Sequence, residues 1–434
     1  MSNLPFGATE EQVKVLRNLA ETYRRIAEEK KQEDRKSLWS QHNNLKKVGT
    51  PVICSWFWSS NTEWDLLKDE CVCQGGILLF IERWLRNRIF HDTLGDDMVF
   101  EPWIPIRAVL HSAQDDKWGQ FSEDGKHPFT NLWSENQEFK RIGDGWAAIP
   151  FVKDIEDIEK RIHPVAHKVN EEETAKRFND LKTIFGDSID FSIDRRPIFA
   201  STYGGCDLSE AIGKYIGIEE LFYMAYDKPE VIHALAKYMQ QAVLANFEQA
   251  EAAGDWQPDD SMNSLTGMPY TEGVPNPVCS GRNFKMKDFW IYTHGQEFTA
   301  FSPQMHYELL LQYQIPILEK FKYSSYGCCE DLTGKIDLMR KIPNLRRVAV
   351  APSANLQKIS EQVGRDYTLS WKPNPSMVHP YFDEAHLKKY MEESFKSCQG
   401  SIVDVILKDV TSVGGDRERL RRWTAIVKEA ASKY

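Results

Sequence analysis

The sequence predicts an α/β fold, a (β/α)8 or TIM barrel with an N-terminal helical extension and inserted lid segments. Eight short runs of β-forming residues alternate with stretches of helical character along the 434 residues. This alternation is typical of parallel βαβ units, and eight such units close a barrel. An open, doubly wound sheet is the alternative that the same pattern allows.

Eight strands are predicted, at 50–58, 97–105, 188–194, 255–262, 321–329, 345–353, 366–374 and 401–410. The fourth is the weakest, because Pro258 has no backbone N–H to donate to a central strand. Residues 9–40 contain no Gly or Pro and predict a long solvated helix. We therefore assign residues 1–48 to a helical extension and 49–434 to the barrel.

Two segments are longer than ordinary connections between a strand and a helix. Residues 106–187 include a polar and aromatic stretch, and residues 263–298 are rich in Gly, Pro and Asn. Long connections of this composition are typical of lids and functional loops. Both are predicted to be insertions over the mouth of the barrel.

Composition excludes several classes of protein. The net charge of −10 argues against a nucleic-acid-binding surface. No apolar run approaches the roughly 20 residues of a membrane span, and the N-terminus lacks an apolar signal core. Eight cysteines are too few for a disulfide scaffold in a chain of this length. A cytoplasmic location is expected.

Polar residues follow several of the predicted strands, and in a barrel the carboxyl ends of the strands meet at one mouth. The residues expected there lie at the ends of the predicted strands: Glu101 in strand two, Cys328, Cys329 and Glu330 in strand five, Lys372 and Asn374 in strand seven, and Lys408 and Asp409 in strand eight. Trp58, Trp103 and Trp371 are expected to form aromatic walls beside them.

The adjacent cysteines have two functional interpretations and one structural one. A thiolate is a soft metal ligand and also a nucleophile when its pKa is lowered. Neighbouring residues of a regular strand point to opposite faces, so a bend at Gly327 would be needed to bring Cys328 and Cys329 together. Alternatively, both are buried thiols beside a helix start.

Other candidate groups have similar alternatives. His294 and Glu297 would share one face if they lay on a helix, where they could bind a metal or exchange protons. Lys372 precedes Pro373 in "WKPNP", which restricts it to an extended backbone, and it is suited to an anion or a carbonyl group. Lys408 and Asp409 are expected to form an ion pair.

Six motifs resemble one family: "MVFEPW", "FSPQMHYELLLQY", "YGCCEDL", "IPNLRRVAVAP", "YTLSWKPNP" and "VDVILKDV". They are similar to the uroporphyrinogen decarboxylase superfamily, in the branch near the corrinoid-dependent methyltransferases that carries YGCCE and KPNP signatures. The resemblance covers about residues 50–430 and implies a (β/α)8 barrel. It implies a methyltransferase that moves a methyl group between a small methylated substrate and a cobamide. The alternative is a lyase whose Lys372 and Arg195–Arg196 bind carboxylates.

Twelve residues are expected in the site, from their predicted place in the barrel and from the resemblance. Catalytic roles are expected for Cys328, Glu330, Lys372 and Asp409, and substrate-binding roles for Trp58, Glu101, Trp103, His294, Glu297, Tyr326, Trp371 and Asn374. Cys328 and Cys329 are the candidate metal ligands.

Cobalamin is the expected cofactor, carried on a partner corrinoid protein, and zinc is a further candidate. The family's zinc motif is incomplete, because Tyr326 stands in the place of a histidine and "DVTSVGG" contains no cysteine. A second copy of the chain is another candidate partner. Aromatic walls would suit either a quaternary ammonium or a methoxylated ring as the methyl donor.

Overall fold

The computed structural model describes residues 4–55, 70–111, 139–142, 145–197, 200, 208–258, 269–410 and 412–434. Ten strands lie within these ranges: β1 (Val52–Cys54), β2 (Trp103–Arg107), β3 (Phe139–Ile142), β4 (Gly145–Ala148), β5 (Asp190–Asp194), β6 (Trp290–Thr293), β7 (Tyr323–Tyr326), β8 (Leu345–Val350), β9 (Thr368–Trp371) and β10 (Ile402–Leu407).

Eight of the strands pair in parallel. Six form one sheet in the order β1-β10-β9-β8-β7-β6, and β2 pairs with β5 in a second sheet. The remaining two, β3 and β4, form an antiparallel hairpin. Parallel strands need crossover connections, and helices supply them here.

The described helices are α1 (Glu10–Ala27), α2 (Lys30–Asn43), α3 (Gly76–Asp92), α4 (Glu156–Arg161), α5 (Glu171–Phe185), α6 (Leu208–Ile216), α7 (Ile218–Asp227), α8 (Pro229–Ala253), α9 (Pro303–His306), α10 (Gln312–Leu318), α11 (Ile336–Met339), α12 (Leu356–Val363), α13 (Glu384–Ser397) and α14 (Glu418–Ala431). A π-helical turn, Tyr307–Leu311, joins α9 to α10. Within the described ranges, no helix is both long and apolar enough to cross a bilayer. The mixed α/β class predicted from the sequence is confirmed.

Seven of the eight predicted strands overlap an observed strand, and the fourth overlaps none among the described residues. Residues 255–258 form no strand, and 259–262 lie outside the described residues. The fourth parallel strand is instead β6, inside the segment 263–298 that was predicted to be a lid. The run Trp290–Thr293 combines aromatic and β-branched residues that suit a strand, and the Pro- and Gly-rich composition before it hid this signal.

The N-terminal extension is two helices rather than one. The first begins with a capping box in which Thr9 and Gln12 each accept from the other's backbone N–H. It ends at Ala27, and α2 begins three residues later. The prediction that this region is solvated is wrong, because Tyr23 and Trp39 are buried. In α1 the buried residues recur at helical spacing, at Leu16, Ala20, Tyr23 and Ala27, and form an apolar stripe.

A buried polar network joins α2 to three adjacent strands of the large sheet. Asp404 of β10 accepts from Arg347 of β8 at 2.8 Å, from Ser370 of β9 at 2.9 Å and contacts His42 Nε2 at 3.0 Å. Arg347 also donates to Asn43 Oδ1 at 2.9 Å. Burial lowers the pKa of His42, whereas the pKa of Asp404 is lowered by Arg347 and His42 against the opposing effect of burial.

We expect Asp404→Asn to lower the free energy of unfolding by about 3–5 kcal/mol, because it leaves the buried Arg347 guanidinium without its carboxylate. Urea denaturation measures the change. The matched control is Glu429→Gln, which removes the carboxylate of an exposed ion pair with Lys388. We expect no measurable change there, and equal effects of the two substitutions would contradict the role given to Asp404.

Candidate functional site

The turn that follows β7 brings the two cysteines to the same side. Gly327 has φ of 106°, in the left-handed region that favours glycine. A Cβ at this position would lie 2.9 Å from Leu332 and 3.0 Å from Ala349, so a larger residue would not fit without movement. Beyond the turn, Sγ of Cys328 lies 3.7 Å from Sγ of Cys329. The bend predicted at Gly327 is confirmed.

Lys408, at the end of β10, reaches these thiols. Its Nζ lies 3.0 Å from Sγ of Cys329 and 3.4 Å from Sγ of Cys328. The same ammonium forms the expected ion pair with Asp409, at 2.9 Å. We call Cys328, Cys329, Lys372, Lys408 and Asp409 the thiol–lysine cluster.

The two thiols differ in acidity. A hydrogen bond from Cys328, followed in importance by Lys408, lowers the pKa of Cys329 to about 6 despite partial burial. The same hydrogen bond and burial raise the pKa of Cys328 above its ordinary value. One negative charge is therefore favoured on the pair, on the exposed Cys329. A thiolate of this kind reacts with electrophiles at neutral pH.

The two lysines of the cluster also differ. Burial opposes the charged form of Lys408, but both thiols and Asp409 raise its pKa. Burial and the neighbouring Lys408 lower the pKa of Lys372 to about 8, although the thiols and Asp404 oppose the shift. A lysine with a pKa near the ambient pH is suited to proton transfer.

Glu330 holds the turn instead of reaching outward. Its side chain is buried, with Oε2 accepting from the N–H of Cys328 at 2.7 Å and Oε1 from the N–H of Gly295 at 2.8 Å. These bonds connect the end of β6 to the end of β7. The structure thus places this predicted catalytic residue as a support for the thiol-bearing turn.

Tyr326 and Trp371, two aromatic residues predicted to bind substrate, contact helices that cover one side of the sheet. The hydroxyl of Tyr326 lies 2.8 Å from Nε2 of His306 and donates to Gln314 at 3.1 Å. The ring of Trp371 packs against Tyr390 and Phe395, and Phe395 lies in α13. Successive residues of a strand face opposite sides, so Trp371 points away from the side to which Lys372 points.

His294 and Glu297 do not share a helical face. His294 follows the end of β6, is buried and favours the thiolate form of Cys328 electrostatically. Glu297 lies in a 3-10 turn, where its Oε2 accepts from Ser209 of α6 at 2.6 Å. The condition for a shared face is not met, because β6 ends at Thr293 just before His294 and only a 3-10 turn of three residues contains Glu297. Of the two, His294 lies near the cluster.

Glu101 and Trp103 lie at the opposite end of β2 from the one predicted. The strand begins at Trp103 and ends at Arg107, so Glu101 precedes it. The carboxylate of Glu101 accepts from the hydroxyl of Tyr270 at 2.6 Å and forms an ion pair with Lys36 of α2 at 3.1 Å. The prediction that Glu101 ends strand two is wrong, because the strand starts six residues later than expected.

Asn374, Trp58 and Lys408 are the remaining residues that were predicted near the barrel mouth. Asn374 is exposed and caps a 3-10 turn, accepting from the N–H of Ser376 at 3.0 Å. Trp58 lies outside the described residues. Lys408 was expected at the mouth, mainly as the ion-pair partner of Asp409, and it lies at the centre of the cluster. Its position after the fully buried strand "IVDVIL" was the signal for this role.

No protein-family model matches this chain, and no curated protein shows significant similarity to it. Among solved structures, the chain is similar to a methyltransferase from Methanosarcina mazei. The sequences are 11% identical, the superposition covers 91% of this chain and 98% of that one, and the TM-score is 0.49. A likeness at this level carries no conclusion about this chain. The family indicated by the YGCCE and KPNP motifs stays a prediction.

We expect Cys329 to be alkylated by iodoacetamide with a half-maximal rate near pH 6, because the thiolate is the reactive form. Lys408→Met should move this midpoint to higher pH, since it removes the cation beside the sulfur. Tandem mass spectrometry distinguishes the two cysteines. Lys389→Met, at an exposed lysine of α13, is the control and should leave the midpoint unchanged. Faster alkylation of Cys328 would contradict this assignment.

We expect Glu330→Gln to lower the free energy of unfolding by about 1–3 kcal/mol, because the amide offers one acceptor to two buried N–H groups. The loosened turn should also raise the pH midpoint of Cys329 alkylation. Chemical denaturation and the alkylation profile measure the two effects. Glu361→Gln, on the exposed face of α12, should produce neither. An unchanged alkylation profile would show that Glu330 does not position Cys329.

Proposed function

We propose that the chain is a methyltransferase that moves a methyl group between a small methylated substrate and a corrinoid. The observation that carries this proposal is the thiol–lysine cluster at the carboxyl ends of β7, β9 and β10. Active sites of parallel barrels lie at that end. The cluster also contains Cys328, the residue that the motif resemblance matches to the family's cysteine.

Barrel closure is part of the proposal. In a flat sheet, β7 and β10 would be about 14 Å apart, since two strands separate them. The contact of 3.0 Å between Lys408 and Cys329 is better explained by a strongly curved sheet. At its edge, the N–H of Asp97, six residues before β2, donates to the carbonyl of Val52 in β1 at 2.8 Å. This contact supports a ring of eight strands.

The corrinoid would come to the open side of the cluster, where Cys329 and Asp409 are exposed. Cob(I)alamin, when bound, supplies the nucleophile that accepts the methyl group. The chain's own residues bind and orient the donor and stabilise its leaving group. Lys372 and Lys408 place positive charge where the leaving group would gain negative charge. Lys372 can also donate a proton, because its pKa is about 8.

Zinc does not fit the described residues. Two thiols are present, but the ammonium of Lys408 lies between 3.0 and 3.4 Å from both and supplies the neighbouring positive charge. Within the described part of the chain, no group of three His, Cys, Asp or Glu side chains is placed to hold a metal ion. Structural and catalytic zinc sites take at least three protein ligands. We derive no step through zinc.

The lyase alternative has less support from the geometry. It needs Arg195 and Arg196, at the end of β5, to bind substrate carboxylates. Arg195 already forms ion pairs with Asp255, at 2.7 Å, and with Glu171. Arg196 donates to both carboxylate oxygens of Asp194, which lowers the pKa of Asp194 although burial alone would raise it. A carboxylated substrate would have to displace these partners.

The remaining parts of the proposal concern partners and location. We propose a cytoplasmic protein that meets a corrinoid protein, with a homodimer as a further candidate assembly. The formal charge of −10 supports the expectation that nucleic acid is not a partner.

The test is anaerobic visible spectroscopy of the full chain with cob(I)alamin and a panel of methyl donors. We expect methylcobalamin to form, and the double variant Cys328→Ala/Cys329→Ala to reduce the rate by about 10²-fold or more, because Lys408 loses the two sulfurs that position its ammonium. The unfolding free energy should change by no more than about 1–2 kcal/mol per residue.

Cys279→Ala is the matched control, since this cysteine lies outside the cluster and its thiol donates to the carbonyl of Phe191. It should leave the rate unchanged. Absence of methylcobalamin with every donor, both with free cofactor and with a corrinoid protein, would overturn the proposed function. Release of carbon dioxide from a carboxylated donor would favour the lyase.

A further inference from the structure

The turn after β7 holds two thiols in contact, and they differ in their access to solvent. Cys329 is exposed and Cys328 is half-buried, with their Sγ atoms 3.7 Å apart. Glu330 accepts from the backbone N–H of Cys328 and so fixes this arrangement. Among the described cysteines, Cys329 is the exposed one, and five others lie outside this turn. A reagent in solution therefore meets Cys329 first.

Lys408 makes the exposed sulfur the nucleophile. Its Nζ lies 3.0 Å from Sγ of Cys329, closer than the opposing carboxylate of Asp409, whose Oδ2 is 4.0 Å from the same sulfur. A thiolate is the reactive form of cysteine, and a neighbouring ammonium group favours it. Cys328 lies 3.4 Å from the same Nζ and keeps its proton while Cys329 is charged. The pair thus consists of a charged outer thiol and a protonated inner one.

We propose that Cys329 and Cys328 form a thiol–disulfide exchange site for a small-molecule disulfide such as oxidised glutathione, with Cys329 as the attacking thiol and Cys328 as the resolving thiol. Redox-active cysteines are typically accessible, stabilised as thiolates and placed next to a second cysteine that can resolve the first product. The turn after β7 provides all three features. The inference does not depend on the proposed methyl transfer.

The two steps balance with the external disulfide as the only co-reactant. In the first step, the Cys329 thiolate attacks one sulfur of that disulfide, its S–S bond breaks, and one thiolate leaves. In the second, Sγ of Cys328 attacks Sγ of Cys329, the mixed S–S bond breaks, and the second thiolate leaves. The proton of Cys328 passes to one of the released thiolates. The two cysteines lose two electrons in total, and the external disulfide gains them.

The first step prepares the second. The pKa of Cys328 is raised chiefly by its hydrogen bond with Cys329, and next by burial. Formation of the mixed disulfide removes the charge on Cys329 and with it the first of these causes. Lys408, 3.4 Å from Sγ of Cys328, still favours the thiolate there. The inner sulfur therefore becomes the nucleophile once the outer sulfur has reacted.

The internal disulfide can close, but it is strained. An S–S bond is about 2.0 Å long, so rotation of the two side chains has to bring the sulfurs about 1.7 Å closer than their 3.7 Å separation. Adjacent Cα atoms are about 3.8 Å apart, below the roughly 4.4–6.8 Å that disulfides usually span. Strained disulfides are more easily reduced than structural ones. We therefore expect a monothiol such as glutathione to open the bond again.

The first experiment incubates the full chain with oxidised glutathione and then blocks the remaining thiols with iodoacetamide. Trypsin releases residues 323–335, which contain Cys328 and Cys329 and no other cysteine. In wild type we expect this peptide to lose the mass of two hydrogens. Cys328→Ser should instead keep one glutathionyl group on Cys329, because the resolving thiol is absent. Cys329→Ser should react at least about 10-fold more slowly, since it lacks the attacking thiolate.

Two further comparisons test the role of the charge and the choice of site. Lys408→Met should slow the first step at least about 10-fold near pH 7, because the thiolate loses its neighbouring cation. Lys389→Met makes the same change of charge at an exposed position and should have no effect. Cys279→Ser is the control for a cysteine outside the turn and should react as wild type does.

Reduced glutathione, added after the oxidant is removed, should restore both thiols of the wild type. A stable glutathionyl adduct on wild-type Cys329 would overturn the resolving role of Cys328. A disulfide from Cys329 to a cysteine outside residues 323–335, or a reaction no faster than at Cys279, would overturn the site. Closure by hydrogen peroxide but not by oxidised glutathione would overturn the disulfide as its substrate. Neither a corrinoid nor a methyl donor is present, so failure here leaves the proposed methyl transfer unaffected.

Discussion

Strand β10 carries the buried charge of Asp404, and Lys408 follows its last residue. Each of these two charges organises one part of the sheet. Residues four apart on a strand point to the same side. At one end, Asp404 pairs with Arg347 and His42 and so connects α2 to the sheet. At the other end, Lys408 gathers the two thiols. Buried charges need specific partners, so they determine which elements meet.

The same requirement explains why the turn after β7 is built as it is. Two thiolates with sulfur atoms 3.7 Å apart would repel each other strongly. The pair therefore keeps one proton, and Lys408 stabilises the single negative charge. Glu330 maintains this geometry by accepting hydrogen bonds from the N–H groups of Cys328 and Gly295, which follow β7 and β6. The reactive thiol is therefore prepared by groups that do not themselves need to reach a substrate.

Lys372 is a further buried cation of this region. Its lowered pKa follows from burial and from Lys408, both consequences of its place at the end of β9. Stability alone would favour an apolar residue there.

The sequence by itself determined most strand positions, the bend at Gly327 and the meeting of residues after β7, β9 and β10, because local propensity and strand polarity are enough for these. It missed β6, and it placed Glu101 and Trp371 beside the mouth. Strand register decides which end of a strand a residue occupies and which face its side chain is on. A shift of a few residues changes both. The pairing of Lys408 and the burial of Lys372 were decided only by tertiary structure, since they depend on side chains from strands distant in sequence.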